Sequence, residues 1–185
     1  MNKHTYPVSA IGVTTSELPG EVAIFIEFAA CNMKCKGCHS PHLWNDSIPN
    51  AYLSPEAIFE EIRQLMFKYG NTITAVVLMG GTTNDNVTSS DIKYLIALLS
   101  HKTHLPVGLY SGQDEALDRW LDVRGLEWLK TGSYMKENGG LEAAGSNQKF
   151  YHKEIARHSV DAQGLVCSVE YHWVDITSIF QKGVN

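Results

Sequence analysis

Short runs of consecutive apolar residues alternate along this chain with stretches in which apolar residues recur every three or four positions. The runs are rich in β-branched and aromatic residues, which is typical of strands. We predict strands at Val22 to Ala30, Thr74 to Met79, Pro106 to Tyr110, Leu126 to Lys130 and Leu165 to Val174. Runs without polar alternation indicate strands that are covered on both faces.

The stretches with helical spacing predict three helices. The first has clear ends, because Ser54 suits an N-cap, Pro55 the first helical position and Gly70 the stop. The other two are predicted at Asp91 to Leu99 and at Asp114 to Leu121. Strands that alternate with helices indicate βα units and a parallel sheet.

About four or five such units are too few for a closed eightfold barrel. The predicted fold class is therefore α/β, an open partial (β/α) barrel with a parallel sheet, in a single domain over residues 1–185. Ligands bind at the carboxyl ends of the strands in such sheets. The segments that directly follow predicted strands are residues 31–38, Gly80–Gly81, Ser111–Gly112 and Gly132. We expect these four segments to meet.

Composition and charge exclude several classes of protein. The net charge is −5, and Lys and Arg are spread along the chain, which argues against nonspecific nucleic-acid binding. No apolar run approaches the roughly 20 residues of a membrane span, and the N-terminus lacks a signal-peptide core. We therefore expect a cytoplasmic protein with no membrane partner, in which clustered cysteines indicate metal or redox chemistry rather than disulfides.

Three of the four cysteines, Cys31, Cys35 and Cys38, form the pattern C-x3-C-x2-C directly after the first predicted strand. Three thiolates can converge there while a fourth ligand is missing, so the site can bind a molecule other than protein. Cys167 lies far away in the last predicted strand, where we expect it to be a small buried apolar residue.

Four interpretations of the cysteine loop are open. A c-type haem site matches Cys35 to His39 but requires export and leaves Cys31 unexplained. A zinc site would add His39, although adjacent Cys38 and His39 rarely face the same metal. Thioredoxin-like redox chemistry needs no third cysteine. A 4Fe-4S cluster with three thiolate ligands leaves one iron free to chelate a small molecule.

The loop resembles the signature of the radical S-adenosylmethionine (SAM) superfamily. Within it, the chain is most similar to the activating proteins of anaerobic ribonucleotide reductase, which are glycyl radical enzyme activases. The shared features are Gly37, His39 and Trp44 around the third cysteine, Leu109–Gly112 at a strand end, and the later segments Lys130–Met135 and Gly145–Lys149.

The resemblance implies a partial barrel of the radical SAM type and a 4Fe-4S cluster held by Cys31, Cys35 and Cys38. It also implies that SAM is cleaved reductively to a 5′-deoxyadenosyl radical. That radical would take a hydrogen atom from a glycine Cα in the large catalytic subunit of the reductase. A low-potential electron donor such as a flavodoxin would supply the electron.

The resemblance also assigns residues to SAM and to the partner. Its SAM contacts would be Gly37, Cys38 and His39 beside the adenine, Gly80, Gly81 and Thr82 at the amino group, Ser111 at the ribose and Lys130 at the carboxylate. Partner contacts would be Trp44, Asn147 and Gln148. Thr82 replaces the usual Glu, and we hypothesise that Asp85 supplies the missing charge. Two rivals are a radical SAM enzyme acting on a small molecule, such as a deazapurine synthase, and a noncatalytic zinc-binding module.

Overall fold

The structure is a computed structural model that describes residues 4–45, 52–160, 163 and 165–181. Its strands are β1 (Tyr6–Thr14), β2 (Ala23–Phe28), β3 (Tyr52–Leu53), β4 (Ala75–Met79), β5 (Val107–Tyr110), β6 (Leu126–Thr131), β7 (Lys149–Val160) and β8 (Val166–Asp175). Its α-helices are α1 (Pro55–Tyr69), α2 (Ser89–Thr103) and α3 (Asp118–Leu121).

All eight strands join one sheet in the order β3-β1-β2-β4-β5-β6-β7-β8. The four central strands, β2, β4, β5 and β6, are parallel. The pairs toward both edges are antiparallel. The prediction of an open partial (β/α) barrel with a parallel sheet is therefore wrong. The molecule has one mixed sheet, antiparallel toward both edges, and few helices.

The error has a physical cause at the two ends of the chain. A parallel pair needs a crossover of about a dozen residues, whereas an antiparallel pair needs only a short turn. Residues 15–22 between β1 and β2, and residues 161–165 between β7 and β8, are too few for a crossover helix. These strands therefore fold back as hairpins.

The helices that flank the parallel strands follow local signals. The Ser54 hydroxyl oxygen accepts from the Ala57 N–H at 3.3 Å, and α1 ends at Gly70, whose φ is +58°. Thr88 and Asp91 form a capping box that starts α2 earlier than predicted. Helix α3 is shorter than predicted, with four residues. Among the described residues, no helix is long and apolar enough to cross a membrane.

Alternate residues of the central strands face two separate apolar layers. One layer packs the sheet against α1 and α2, and its fully buried members include Ile24, Ile26, Ile58, Ile62, Val76, Leu78, Leu95 and Leu109. The layer on the opposite face includes Leu18, Ala75, Val77, Trp128 and Phe150. Because both faces of the centre are covered, the unbroken apolar runs of these strands are explained.

The carboxyl ends of the four parallel strands lie side by side. Glu27 is paired with Met79, Met79 with Tyr110, and Tyr110 with Lys130. The cysteine loop, Gly80 and Ser111 each begin within four residues of this row. The prediction that the segments following the strands meet is confirmed for this end of the sheet.

The outer part of the β7–β8 hairpin extends beyond β6, which pairs only with residues 149–152 of β7. Ile155 and Val166 are 59% and 60% exposed there. Cys167 lies in β8 as predicted, but it is exposed, so the prediction that it is buried is wrong. Its strand has β7 as its one neighbour in the sheet order, and among the described residues Leu165, Val166 and Cys167 at this end of the hairpin are all exposed.

Candidate functional site

The cysteine loop is fixed to its neighbours by backbone hydrogen bonds. The Cys31 N–H donates to the Leu43 carbonyl oxygen at 2.8 Å, and the Asn32 N–H donates to the Thr83 carbonyl oxygen at 2.9 Å. Leu43 belongs to a short 3₁₀ helix, Pro41–Trp44, and is buried. All three cysteines of the loop are half-buried free thiols.

The backbone of the loop is strained. Ala30 and Lys34 have φ values of +57° and +46°, a region that costs energy for any residue with a side chain. Among the described residues, His104 is the one other non-glycine residue with positive φ. Such conformations concentrate at functional sites, where the surrounding structure holds them. Gly37, with φ of +77°, meets the same requirement without strain.

Two hydrogen-bond donors lie against the sulfur atoms. The Ser40 N–H donates to Cys38 Sγ at 3.3 Å. The Thr83 hydroxyl lies 3.2 Å from Cys31 Sγ and 2.8 Å from the Gly80 carbonyl oxygen, and its single proton serves one acceptor at a time. Hydrogen bonds to ligating sulfur help to set the reduction potential of an iron–sulfur cluster.

The donor set of the cysteine loop has the chemistry of an iron–sulfur site. Three free thiols lie on one short loop, and thiolates are the ligands that iron–sulfur clusters use. Within the described part of the chain, no three His, Cys, Asp or Glu side chains are grouped closely enough to hold one metal ion. A 4Fe-4S cluster does not need such a group, because each thiolate binds a different iron.

The turn after β4 joins the predicted amino-group and ribose residues. Gly80 adopts a left-handed conformation with φ of +88°. A Cβ on Gly81 would lie 2.6 Å from Ile92 Cδ1, so packing against α2 requires this glycine. The Thr82 hydroxyl donates to Ser111 Oγ at 2.8 Å, which brings the ends of β4 and β5 into direct contact.

Glu115 extends this contact and was missed in the sequence. The Ser111 hydroxyl donates to Glu115 Oε1 at 2.8 Å, and Trp120 Nε1 donates to Glu115 Oε2 at 3.0 Å. The Glu115 side chain is 4% exposed. The signal that could have found it is a carboxylate four residues after the strand-end serine.

Lys130 faces the cysteine loop from the end of β6. Its Nζ lies 5.4 Å from the centre of the Tyr110 ring. Burial lowers the pKa of Lys130 to about 8. Negative charges that act in the opposite direction belong to Glu17, Cys35, Cys38 and Glu142. Lys130 therefore lies near enough to Cys35 and Cys38 for their charges to act on it.

The loop after β6 lies against the other side of the cysteine loop. The His39 ring is exposed, and its centre lies 4.9 Å from that of Tyr134, at an angle of 48°. A Cβ on Gly37 would lie 3.2 Å from Lys136 Cδ. Tyr134 lies in the segment Lys130–Met135 that the resemblance includes, but no role was predicted for it.

Trp44 and Asp85 line an open depression of about 320 Å³ beside Cys31. The remaining lining residues are Ala30, Asn32, Lys34, Asn84 and Asn86. Asn32 Nδ2 donates to Asp85 Oδ1 at 2.6 Å. Asp85 therefore lies next to the cysteine loop, although its carboxylate is exposed and already accepts a hydrogen bond.

The two residues near β7 that were predicted as partner contacts, Asn147 and Gln148, hydrogen-bond to the loop after β6. Asn147 Nδ2 donates to the Ser133 carbonyl oxygen at 2.8 Å. Gln148 is 6% exposed, and its Nε2 donates to the Gly132 carbonyl oxygen at 3.2 Å. Both amides hold the loop that carries Tyr134, and Gln148 offers almost no surface to a partner.

Comparison with known proteins does not assign this chain to a family. No family model matches the chain, and no curated protein was found to match it. The chemistry of the site must therefore be argued from its own residues.

Proposed function

We propose that this protein is a radical SAM enzyme that generates a glycyl radical on the large subunit of anaerobic ribonucleotide reductase. The observation that carries the proposal is the meeting of four elements at the carboxyl ends of adjacent parallel strands. They are the loop with three thiols, the Gly80–Thr83 turn, Ser111 and Lys130.

Cys31, Cys35 and Cys38 would hold a 4Fe-4S cluster, and its fourth iron would remain available to SAM. When bound, such a cluster would supply the electron for the reductive cleavage of SAM into methionine and a 5′-deoxyadenosyl radical. The chain's part is to orient SAM and to exclude competing reactions. No acid–base pair is needed for this chemistry.

The polar groups at the strand ends match the groups of SAM. The Lys130 ammonium offers a charge-assisted hydrogen bond to the methionine carboxylate. Thr82 presents a hydroxyl where the amino group would lie, and Ser111 lies directly behind it, buried and bonded to it. The His39 and Tyr134 rings offer apolar faces on which an adenine can stack.

The open side of the site suits a macromolecular substrate. Trp44 is half-buried at the rim of the depression beside Cys31, where a glycine-bearing loop of the reductase would enter. A flavodoxin or a similar low-potential protein would supply electrons. Free thiols on an open loop are maintained in the reducing cytoplasm, which is the compartment that we propose.

The first test is the composition and activity of anoxically purified protein. We expect a brown protein with about four irons per chain, the stoichiometry of a 4Fe-4S cluster. With a strong reductant it should convert SAM into 5′-deoxyadenosine and methionine. The variant Cys35→Ser should lose both properties, whereas Cys167→Ser, at the exposed cysteine of the hairpin, should keep them. A colourless protein with one zinc and no iron would support the zinc-binding module instead.

One observation favours a second candidate, a radical SAM enzyme that acts on a small molecule. The depression beside Cys31 is lined by four amide or carboxylate side chains, Asn32, Asn84, Asp85 and Asn86. Such groups can bind a polar substrate. Formation of 5′-deoxyadenosine without any radical on the reductase would favour this candidate.

A further inference from the structure

A chain of hydrogen bonds runs from the candidate SAM site into the protein interior. Thr82 bonds to Ser111 at 2.8 Å, Ser111 to Glu115 at 2.8 Å, and Glu115 to Trp120 at 3.0 Å. Ser111 is 1% exposed and Trp120 is fully buried. A buried carboxylate is costly unless hydrogen bonds satisfy it, and both Glu115 oxygens accept one.

Which group donates in each of these hydrogen bonds is determined by Glu115 and Trp120 at the inner end of the series. Trp120 Nε1 can only donate, and an ionised carboxylate can only accept. The Ser111 proton therefore points to Glu115, and the Ser111 oxygen accepts from Thr82 and from the Gln113 N–H at 3.1 Å. The Thr82 proton is thus used internally, which leaves its oxygen as an acceptor toward the site.

Hydrogen bonds in such a chain polarise one another, and more strongly where the surroundings are of low polarity. A negative charge at the inner end makes the outermost oxygen a better acceptor for a cation. Within the part of the chain that the structure describes, the charged donor facing Glu115 is the Arg119 guanidinium, whose NH1 lies 3.8 Å from Oε2 and whose side chain is half-exposed. Arg119 offsets part of the Glu115 charge, and the remainder can act on Thr82 through the single Ser111 hydroxyl that lies between them.

We propose that Thr82, Ser111 and Glu115 form a relay that binds the ammonium group of SAM, with Glu115 as a positioning residue two hydroxyls away from the ligand. This inference rests on the proposed function. It explains how the site works with Thr82 where related sequences have Glu. It also replaces Asp85 as the source of charge, because the Asp85 carboxylate is exposed and screened by solvent.

The test measures SAM affinity of the cluster-loaded protein. It is paired with an analogue in which hydrogen replaces the amino group of SAM. We expect Glu115→Gln and Thr82→Val to weaken SAM binding about tenfold, the difference between a charge-assisted and a neutral hydrogen bond. Neither change should alter the affinity for the analogue more than about twofold. Asp118→Asn, an equal loss of charge at an exposed position of α3, is the control and should bind SAM normally.

Each other result overturns the relay. If Glu115→Gln weakens SAM and the analogue equally, Glu115 supports only the fold. If it weakens neither while Asp85→Asn weakens SAM alone, the charge comes from Asp85. In both cases the wild-type protein still binds SAM and the proposed function stands. A wild-type protein that carries the cluster but binds no SAM overturns the proposed function and the relay together.

Discussion

Lys130 is the side chain whose surroundings are hardest to explain by folding alone. Burial lowers its pKa to about 8, which means that its charged form is disfavoured where it lies. The negative charges around it include those of Cys35 and Cys38, which the account assigns to the cluster. Under the proposed function, the carboxylate of SAM would be an anionic ligand for this cation.

We therefore expect Lys130→Met to weaken SAM binding about tenfold, as for the loss of a charge-assisted hydrogen bond. The midpoint of thermal unfolding should not fall, because the substitution removes a buried charge and keeps the aliphatic chain. Calorimetric titration and thermal unfolding under anoxic conditions measure both effects. Lys102→Met, at an exposed lysine of α2, should change neither. A lower midpoint with unaltered affinity would show that Lys130 is structural.

At the scale of elements, α2 is held at its start by a capping box. Asp91 Oδ2 accepts from the Thr88 N–H at 2.7 Å, and Asp91 Oδ1 lies 2.6 Å from His4 Nδ1. Burial acts to raise the pKa of Asp91, but the hydrogen bonds from Thr88 and His4 outweigh it and lower that pKa overall. Helix α2 covers one face of the parallel strands and presents Ile92 to Gly81.

Asp91→Asn should lower the free energy of unfolding by about 1 kcal/mol at pH 7, the usual cost of a lost cap. The pKa of Asp91 is lower in the folded protein than in the unfolded chain, where it is about 3.9. The ionised Asp91 carboxylate therefore stabilises the fold fully above that pH, and this stabilisation is lost as the pH falls through the pKa of the folded protein. The difference between variant and wild type should therefore shrink below about pH 4. Urea unfolding across this range measures it. Asp114→Asn in an exposed loop should match wild type throughout, and a difference that is constant with pH would contradict the account.

The sheet as a whole shows which parts of the fold the sequence could predict. Strands β2, β4, β5 and β6 are covered on both faces, so their apolar runs stand out locally. Strand β7 carries the exposed charged residues Lys149, Glu154 and Arg157, so its pattern is not that of a buried strand. Strand β1 was missed for a similar reason, since most of it is only half-buried. Without these two strands, the remaining elements suggested a parallel barrel.

The parts of the candidate site that could be predicted are those whose residues are close together in the sequence. The three cysteines and Gly80 are recognised from adjacent residues. Glu115 and Tyr134 join the site through contacts between distant segments, and 29 residues separate Thr82 from Ser111. Such pairings depend on the register of parallel strands, which no local pattern encodes.

The covered centre should carry the stability of the whole molecule. Leu78 in β4 is fully buried in the layer beneath α1 and α2. Leu78→Ala should lower the free energy of unfolding by about 2–5 kcal/mol, through lost burial and the cavity left behind. Leu165→Ala, the same change at a side chain that is 67% exposed, should cost less than about 0.5 kcal/mol. Equal losses in urea unfolding would show that the layers do not carry the stability as described.

The most direct measurement is electron paramagnetic resonance of a mixture with the large reductase subunit, SAM and a strong reductant. The account predicts a glycyl radical doublet on the large subunit that grows with time and requires SAM. The variant Cys38→Ser should give no doublet, whereas Cys167→Ser should give the wild-type signal. A cluster-loaded wild-type protein that cleaves SAM but yields no doublet on the reductase would contradict the proposed activation.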